Sequence, residues 1–426
     1  MSFNEWKECK IGDVADILSG YAFKTNDFIE EGIPVVKIKN IVSPIVDISD
    51  TQYVSEELYK EKIRYSLEYN DILISMTGSH INQLASAVGK IGRVKLVNQK
   101  LLLNQRVGKL YVKDPLKCNQ EYLYYFFTQD NIRYDLAASA GGSANQANIS
   151  PQNIRDIDIL LPSLQEQKAI ASILSSLDEK IELNNQMNKT LEEMAQALFK
   201  RWFVEFEFPN EDGESYKSSG GEMVDSELGM IPKGWNVGAL DQIAEFLNGL
   251  AMQKFRPTEE EDSLPVLKIK ELNQGKTDSS SDRCKKSIQE NYIINDGDII
   301  FSWSGSLNVK IWCGGQAGLN QHLFKVTSSK YSKWFYYMWI QQYLETFIRI
   351  AADKATTMGH IKRQHLSDAK VLIPNKRVLE SMNNPFTCII NKLIELNIEN
   401  RTLVDLRDTL LPKLMSGEIR VSDIEN

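Results

Sequence analysis

The chain is 426 residues long with 42% hydrophobic and 25% charged residues, a composition that excludes wholesale disorder and a length that calls for two or three domains. Its net charge of −8 excludes a uniformly basic nucleic-acid binder. Any phosphate contact must then come from local clusters, whose field reaches about one Debye length, ~8–10 Å.

In chain order, residues 1–162 read as a β-rich domain. Short runs such as Val35–Lys39 and Ile72–Ser75 are bounded by Gly, Asn and Asp, and a helix is expected near Glu121–Gln129. Residues 163–205 read as one long helix: from Gln165 to about Phe203 there is no Pro or Gly, and Ser163 with Glu166 forms a capping box. Its apolar residues recur in steps of four and three at Ile170, Leu174, Leu177, Ile181, Leu191, Ala195, Leu198 and Trp202. Asn184 and Asn188 hold the same register in the gap, which makes a heptad seam with polar interruptions. An ordinary core helix is the alternative. A helix of this length spans roughly 60 Å.

Residues 206–232 read as a linker, Gly/Ser-rich and charged over Glu211–Gly221. A second β-rich domain follows at 233–375, with a helix expected over Lys333–Ile348, and residues 376–426 carry a second long helix and tail. That helix is expected from about Asn383 or Pro385, with Asn384 as cap, to Leu414. Its seam is Ile389, Leu393, Leu396, Asn400, Leu403, Leu410 and Leu414, with Arg407 where the first seam has Ala195.

The two halves are copies of one unit. Trp6 with Ile11–Ala22 answers to Trp235 with Leu240–Ala251, and Pro34–Lys39 to Pro265–Lys270. Asp71–Ser79 answers to Asp298–Ser306, Leu103–Val107 to Leu319–Leu323, and Leu160-Leu161-Pro162 to Leu372-Ile373-Pro374. The period is far too long for a solenoid. Divergence between the shared anchors is what two readers of different things require.

Constellations for chemistry are weak. Asn383-Asn384-Pro385-Phe386 is similar to the Asn/Asp-Pro-Pro-Tyr/Phe loop of adenine-N6 methyltransferases, but one proline and a preceding Gly-rich cofactor loop are missing. Gly141-Gly142-Ser143 lacks the lysine of a phosphate-binding loop, and His360 and His365 are not one helical turn apart. Cys9, Cys118, Cys284, Cys313 and Cys388 are scattered and form no C-x-x-C pair, which argues against structural zinc or a disulfide framework and for separate, partly buried thiols. The stretch from Lys90 to Lys117 holds eight basic residues against Asp114, so it either tracks phosphates or is a solvated lysine-rich face.

Three segments carry a family resemblance. Leu161–Ile170, Phe199–Val204 followed by Val224–Trp235, and Leu410–Ile419 resemble the central region, the junction into the second half and the C-terminal end of the specificity subunits of type I restriction–modification systems. One departure is the segment before the second helix, Pro374-Asn375-Lys376-Arg377, which lacks the Glu-Gln pair.

The resemblance implies an α+β fold: two β-rich target-recognition domains separated by a long antiparallel two-helix coiled coil, with a pseudo-twofold internal repeat. It also implies a non-catalytic subunit that reads a bipartite asymmetric target in double-stranded DNA. Its partners would be two modification (methyltransferase) subunits that bind S-adenosylmethionine and methylate adenine, and two restriction (translocase/endonuclease) subunits that use ATP with Mg. No cofactor and no metal is expected on this chain, no membrane partner is expected, and the expected location is the cytoplasm. No apolar run approaches the ~18 residues of a membrane span, and Met1–Glu8 lacks the order of a secretory signal. A self-contained methyltransferase and a purely structural coiled-coil scaffold are the rival readings.

The residues expected at DNA are loop residues. They are Thr77, Gly78 and Ser79 with Asn104, Gln105 and Arg106 in the first copy, and Ser304, Gly305 and Ser306 with Asn320, Gln321 and His322 in the second. Asn and Gln suit adenine, and Arg suits guanine. Lys37, Lys39, Lys268 and Lys270 are the expected phosphate contacts. The alternative for each is turn chemistry or strand packing.

Overall fold

The computed structural model describes residues 6–79, 88–143, 146–353 and 359–424. Two compact units divide the chain: unit 1 is Met1–Asp178 with Asp405–Asn426, and unit 2 is Glu179–Val404. Both long helices, Leu164–Phe199 and Lys376–Ser416, therefore contribute one segment to each unit.

The two units are built alike. In unit 1 the central sheet runs Ala15–Ser19, Val107–Val112, Ile72–Ser75, Ile91–Arg93, all antiparallel, and goes on through the short strands Ile45–Val46 and Ile41–Val42. In unit 2 the order is Glu245–Asn248, Leu323–Thr327, Ile299–Ser302, Asn308–Ile311, all antiparallel. A smaller sheet beside each carries a parallel pair, Ile33–Val36 with Leu102–Leu103 and Ser263–Leu267 with Ala317–Leu319. The matched anchors of the two halves thus fall on the same strands, and most of their apolar residues are buried, Leu160 being exposed.

An aromatic helix packs on each central sheet: Gln120–Thr128, and Lys333–Ala352, which buries Trp334, Phe335, Tyr336 and Trp339. Both helices were expected at these places.

The long helices keep the expected seams. Ile170, Leu174, Asn184, Asn188 and Ala195 are buried on the first, and Ile389, Leu393, Leu396 and Leu414 on the second. Ser163 Oγ accepts the Glu166 N–H at 3.2 Å, as a cap should. The Glu166 carboxylate instead receives Arg420, at 2.6 and 2.8 Å. Within unit 2 the segments run antiparallel: Trp202 meets Phe386 with ring centroids 5.6 Å apart, and Asn184 Nδ2 donates to Asn400 Oδ1 at 2.9 Å. Within unit 1 Glu166 meets Arg420 and Asp178 meets Arg407, the same antiparallel sense. An asparagine pair in an apolar seam, here buried Asn184 with half-buried Asn400, fixes register at some expense of stability.

One expectation is corrected. The second helix starts at Lys376, not at Asn384–Pro385, and Asn375 Oδ1 caps it by accepting the Val378 N–H at 3.0 Å. The helix runs straight through Pro385, whose ring removes an intrahelical bond. Packing offsets that loss: Phe386 stacks on Trp334 at 4.3 Å and 7°, and Asn383 Oδ1 accepts the Trp334 Nε1–H at 2.7 Å. The methyltransferase-like tetrapeptide is therefore part of a packed helix.

Residues 206–232, read from sequence as a linker, include an antiparallel hairpin, Met223–Ser226 with Gly229–Pro232. Phe208 in the same stretch stacks on Tyr216 at 4.6 Å and on Trp235 at 5.1 Å.

Candidate nucleic-acid interface

In each unit three loops meet at one end of the central sheet. The strands Ala15–Ser19 and Ile72–Ser75 finish where Val107–Val112 begins, because Gly108 pairs with Ser19 and Val107 with Ser75. The expected loop Thr77–Ser79 and the expected turn Asn104–Arg106 leave from this end. They are tied together by the Met76 N–H donating to the Arg106 carbonyl at 2.9 Å. In unit 2 Asn248 pairs with Phe324 and Ser302 with Leu323, so Ser304–Ser306 and Asn320–His322 are gathered in the same way.

The turns are superimposable in their bonding. The Asn104 N–H donates to the Val36 carbonyl and the Gln105 N–H to Tyr21, at 3.1 and 2.9 Å; Asn320 donates to Leu267 and Gln321 to Leu250, at 3.2 and 2.8 Å. Gly20 and Gly249 sit against the turns so closely that a Cβ would lie 2.3 Å from the Asn104 or Asn320 carbonyl oxygen. This explains why both copies carry glycine there. Asn104 and Asn320 use Oδ1 within the turn, toward Arg106 N–H at 3.4 Å and His322 N–H at 3.3 Å. Their place is in the scaffold.

The tips differ between units. Gln105 and Arg106 are exposed, and among the described residues their side chains make no hydrogen bond or ion pair. Gln321 and His322 are half-buried: His322 Nδ1 lies 3.1 Å from Ser304 Oγ, and Nε2 lies 3.3 Å from Gln321 Nε2.

The neighbouring loops differ too. Thr77 is buried and donates through Oγ1 to Asn148 Oδ1 at 2.7 Å, while Thr77 and Gly78 pair with Asn148 and Ala147. Ser79 is half-buried and is partnered. Ser304 pairs with His360, and Gly305, at φ 66°, donates its N–H to Gly359 at 2.9 Å. The Ser306 carbonyl accepts Ser302 Oγ at 2.9 Å.

Reading the sequence missed Trp303, which stands where the first copy has Met76. Its Nε1–H donates to Asn248 Oδ1 at 3.0 Å, and its ring centroid is 5.9 Å from His322 and 6.3 Å from His360. The available signal was an indole inside a Ser/Gly loop.

The lysines lie on the segment after the smaller sheet's central strand, Lys37 and Lys268 directly after the carbonyls that hold the turns. Lys37 Nζ donates to Gln52 Oε1 and sits 4.0 Å above the Phe28 ring; burial, then the charge of Lys39, holds it below the usual lysine range. Lys39 pairs with Asp50 at 2.6 Å, Lys268 with Asp282, and Lys270 donates to Ser280 at 3.1 Å. Exposed pairs of this kind contribute about 0–1 kcal/mol, so a phosphate can replace the carboxylate.

Much of the basic stretch Lys90–Lys117 is consumed internally. Lys109 pairs with Asp71 at 2.6 Å, as Lys325 does with Asp298 at 2.8 Å in unit 2, and Arg93 is buried against Glu121 at 2.7 Å. Lys100 pairs with Glu56 and Lys117 with Asp114.

With donors and acceptors on paired loops, the arrangement suits base edges in a groove. Comparison with known proteins decides the family. The profile described as the type I restriction modification DNA specificity domain matches residues 4–193 and again residues 232–392. The chain belongs to the family of type I restriction–modification specificity subunits, which recognise DNA sequence.

It is similar to the type I restriction enzyme MjaIX specificity subunit of Methanocaldococcus jannaschii, 27% identical over 99% of this chain and 95% of that one. The HindI specificity subunit of Haemophilus influenzae is 25% identical over 67% and 73%. The solved S subunit of a type I system from M. genitalium, 17% identical and covering 97% of both chains with a TM-score of 0.58, shares the fold. Both halves of the specificity subunit carry the domain, in keeping with the internal repeat. No helix among the described residues is long and apolar enough to cross a membrane.

Proposed function

We propose that this specificity subunit is a non-catalytic reader of a bipartite, asymmetric DNA target, with one half read by each unit, and that it acts in the cytoplasm. Two modification subunits holding S-adenosylmethionine methylate adenine at that target. Two restriction subunits using ATP and Mg cleave DNA that lacks the mark. The observation that carries this reading is the pair of sheet ends: one bonding scaffold, built twice, presents Gln105-Arg106 in unit 1 and Gln321-His322 beside Trp303 in unit 2. A shared scaffold with unlike tips is what reading two unlike half-sites requires.

Partners need a surface. On the first long helix Leu183, Met187 and Met194 are exposed by 51%, 37% and 53%. Their spacing of four and seven puts them on one face, and that apolar stripe suits a modification subunit.

Arg106 is the guanidinium best placed to read a guanine, through O6 and N7. Arg106→Ala is expected to weaken binding to the cognate site by about 1–3 kcal/mol, roughly five- to 150-fold, and to relax one position of one half-site. Mapping of N6-methyladenine in cells that express the variant with its modification subunit tests this. Degeneracy confined to one half, with the other half and the gap intact, supports the reading. An unchanged motif removes Arg106 from the interface, and degeneracy in both halves contradicts one unit per half-site.

A further inference from the structure

Unit 2 holds a cleft of about 210 Å³ away from the sheet-end loops. Met252 and Val266, both buried, form its floor, and Gln253, Arg256, Asp282 and Arg283 form its rim. Both walls come from segments that clamp the reading turn: the Leu250 carbonyl accepts the Gln321 N–H, and the Leu267 carbonyl accepts the Asn320 N–H. Met252 and Val266 thus lie two residues and one residue along the chain from the carbonyls that hold that turn.

Its charge is what sets it apart. Close by, Lys285 pairs with Glu261 and Lys286 with Asp262, so those charges are spent. In the cleft itself Asp282 is engaged by Lys268. Among the described residues, Arg256 and Arg283 have no carboxylate within ion-pair distance. Arg283 is nevertheless held, because Nε and Nη2 donate to Ser263 Oγ at 3.1 and 2.9 Å and Nη2 donates to the Ser263 carbonyl at 2.8 Å. Neutral acceptors orient that guanidinium without cancelling its charge, which leaves Nη1 for an anion. The charged residues that line the cleft, Arg256, Arg283 and Asp282, leave it net positive, and Asp282 is already paired with Lys268 from outside it.

At the matching positions unit 1 has no such pair. In the pairing register Pro265 faces Arg283, whereas the matching Pro34 faces Tyr53. Seven residues beyond the close-approach glycine, Gly249 leads to Arg256 and Gly20 leads to Asp27. The scaffold lysines Lys37 and Lys268 are shared, and the two arginines belong to the second unit.

We propose that Arg256 and Arg283 bind a backbone phosphate of the DNA read by unit 2, a positioning contact that carries no sequence information of its own. This rests on the reading of the chain as a DNA-recognition subunit. Phosphate contacts set affinity for all duplexes alike and release counterions, so each one neutralised steepens the salt dependence by ~0.9 in the log–log slope.

The test uses the full chain with its modification subunit, titrated with a duplex carrying the methylated motif and with an unrelated duplex across a salt series. Arg256→Gln/Arg283→Gln is expected to weaken both duplexes roughly tenfold and to reduce the slope by about one, with the methylated motif unchanged. Arg283→Lys, which keeps the charge, restores the slope. Should the double variant fold poorly, Arg256→Gln alone, on an exposed loop, must give a smaller loss of the same kind. An unchanged slope overturns the proposal, and so does an altered motif, which would make these base contacts. Loss of inorganic phosphate binding with DNA binding intact also overturns it, since the cleft would then serve a free anion. Failure of the wild-type complex to bind duplex DNA would instead bring down the underlying reading.

Discussion

Phe203→Ala lowers the stability of unit 2 by about 3–5 kcal/mol, the range for removing a large aromatic from a packed core. Phe203 is 1% exposed and lies where the first long helix gives way to a wider turn, Lys200–Val204. Its ring stacks on Phe199 at 4.6 Å and 15° and touches Trp235, Phe335 and Trp339 at 5.3, 5.8 and 5.8 Å. These rings come from the long helix, from the start of the second β-rich half and from its aromatic helix, so truncation opens a cavity at their common junction. Neighbours this large and mutually braced cannot collapse into it. Of the seven tryptophans, only Trp6 lies in unit 1, so tryptophan fluorescence follows unit 2 during denaturation. The expected fall in its midpoint is roughly 6–20 °C, at 2–4 °C per kcal/mol for a unit of this size. A shift worth less than about 1 kcal/mol would mean that the junction is not a load-carrying core.

Asp178→Ala is the second large effect, in unit 1. The first seam has Ala195 where the second has Arg407, and this guanidinium needs partners. Nη1 meets Asp178 Oδ1 at 2.8 Å, and Nε and Nη2 meet Asp408 Oδ1 at 2.9 and 2.7 Å. The buried Tyr125 hydroxyl donates to Asp178 Oδ2 at 2.7 Å. Removing the carboxylate strands one cation edge and one hydroxyl, a loss of about 3–5 kcal/mol in a fully buried pair. With 23% and 27% of the two side chains exposed, solvent screening brings the expected loss to roughly 2–3 kcal/mol. The pair itself adds little beyond an apolar seam. Asp178→Leu/Arg407→Leu with Tyr125→Phe is therefore expected within about 1 kcal/mol of wild type, and a double-mutant cycle by hydrogen exchange in unit 1 measures it. Additive losses from the single variants would contradict this account.

The parts of the fold that were legible in the sequence are those set by periodicity and repetition. Both seams, both aromatic helices and the common strands of the two halves follow from local pattern, and paired anchors make each half a check on the other. Contacts across long stretches of chain were not legible. The basic stretch looked available because its partners, Asp71, Glu56 and Glu121, lie outside it. Pro385 read as a helix start because its compensation is Trp334, far away in sequence.

The candidate interface divides in the same way. Matched motifs located its loops, but Asn104 and Asn320 match because the turn needs them. The features that distinguish the readers, exposed Arg106, inward His322, Trp303 and the Arg256–Arg283 cleft, lie at positions where the copies disagree or have no match.

The most direct test of the central claim is a methylation map. The chain is expressed with its modification subunit in a host without adenine methylation of its own, and N6-methyladenine is located by single-molecule sequencing. Two short, unlike half-sites around a fixed nonspecific gap, absent when this chain is omitted, are the expected result. A continuous motif, or methylation that persists without the chain, would contradict the assignment of one half-site to each unit.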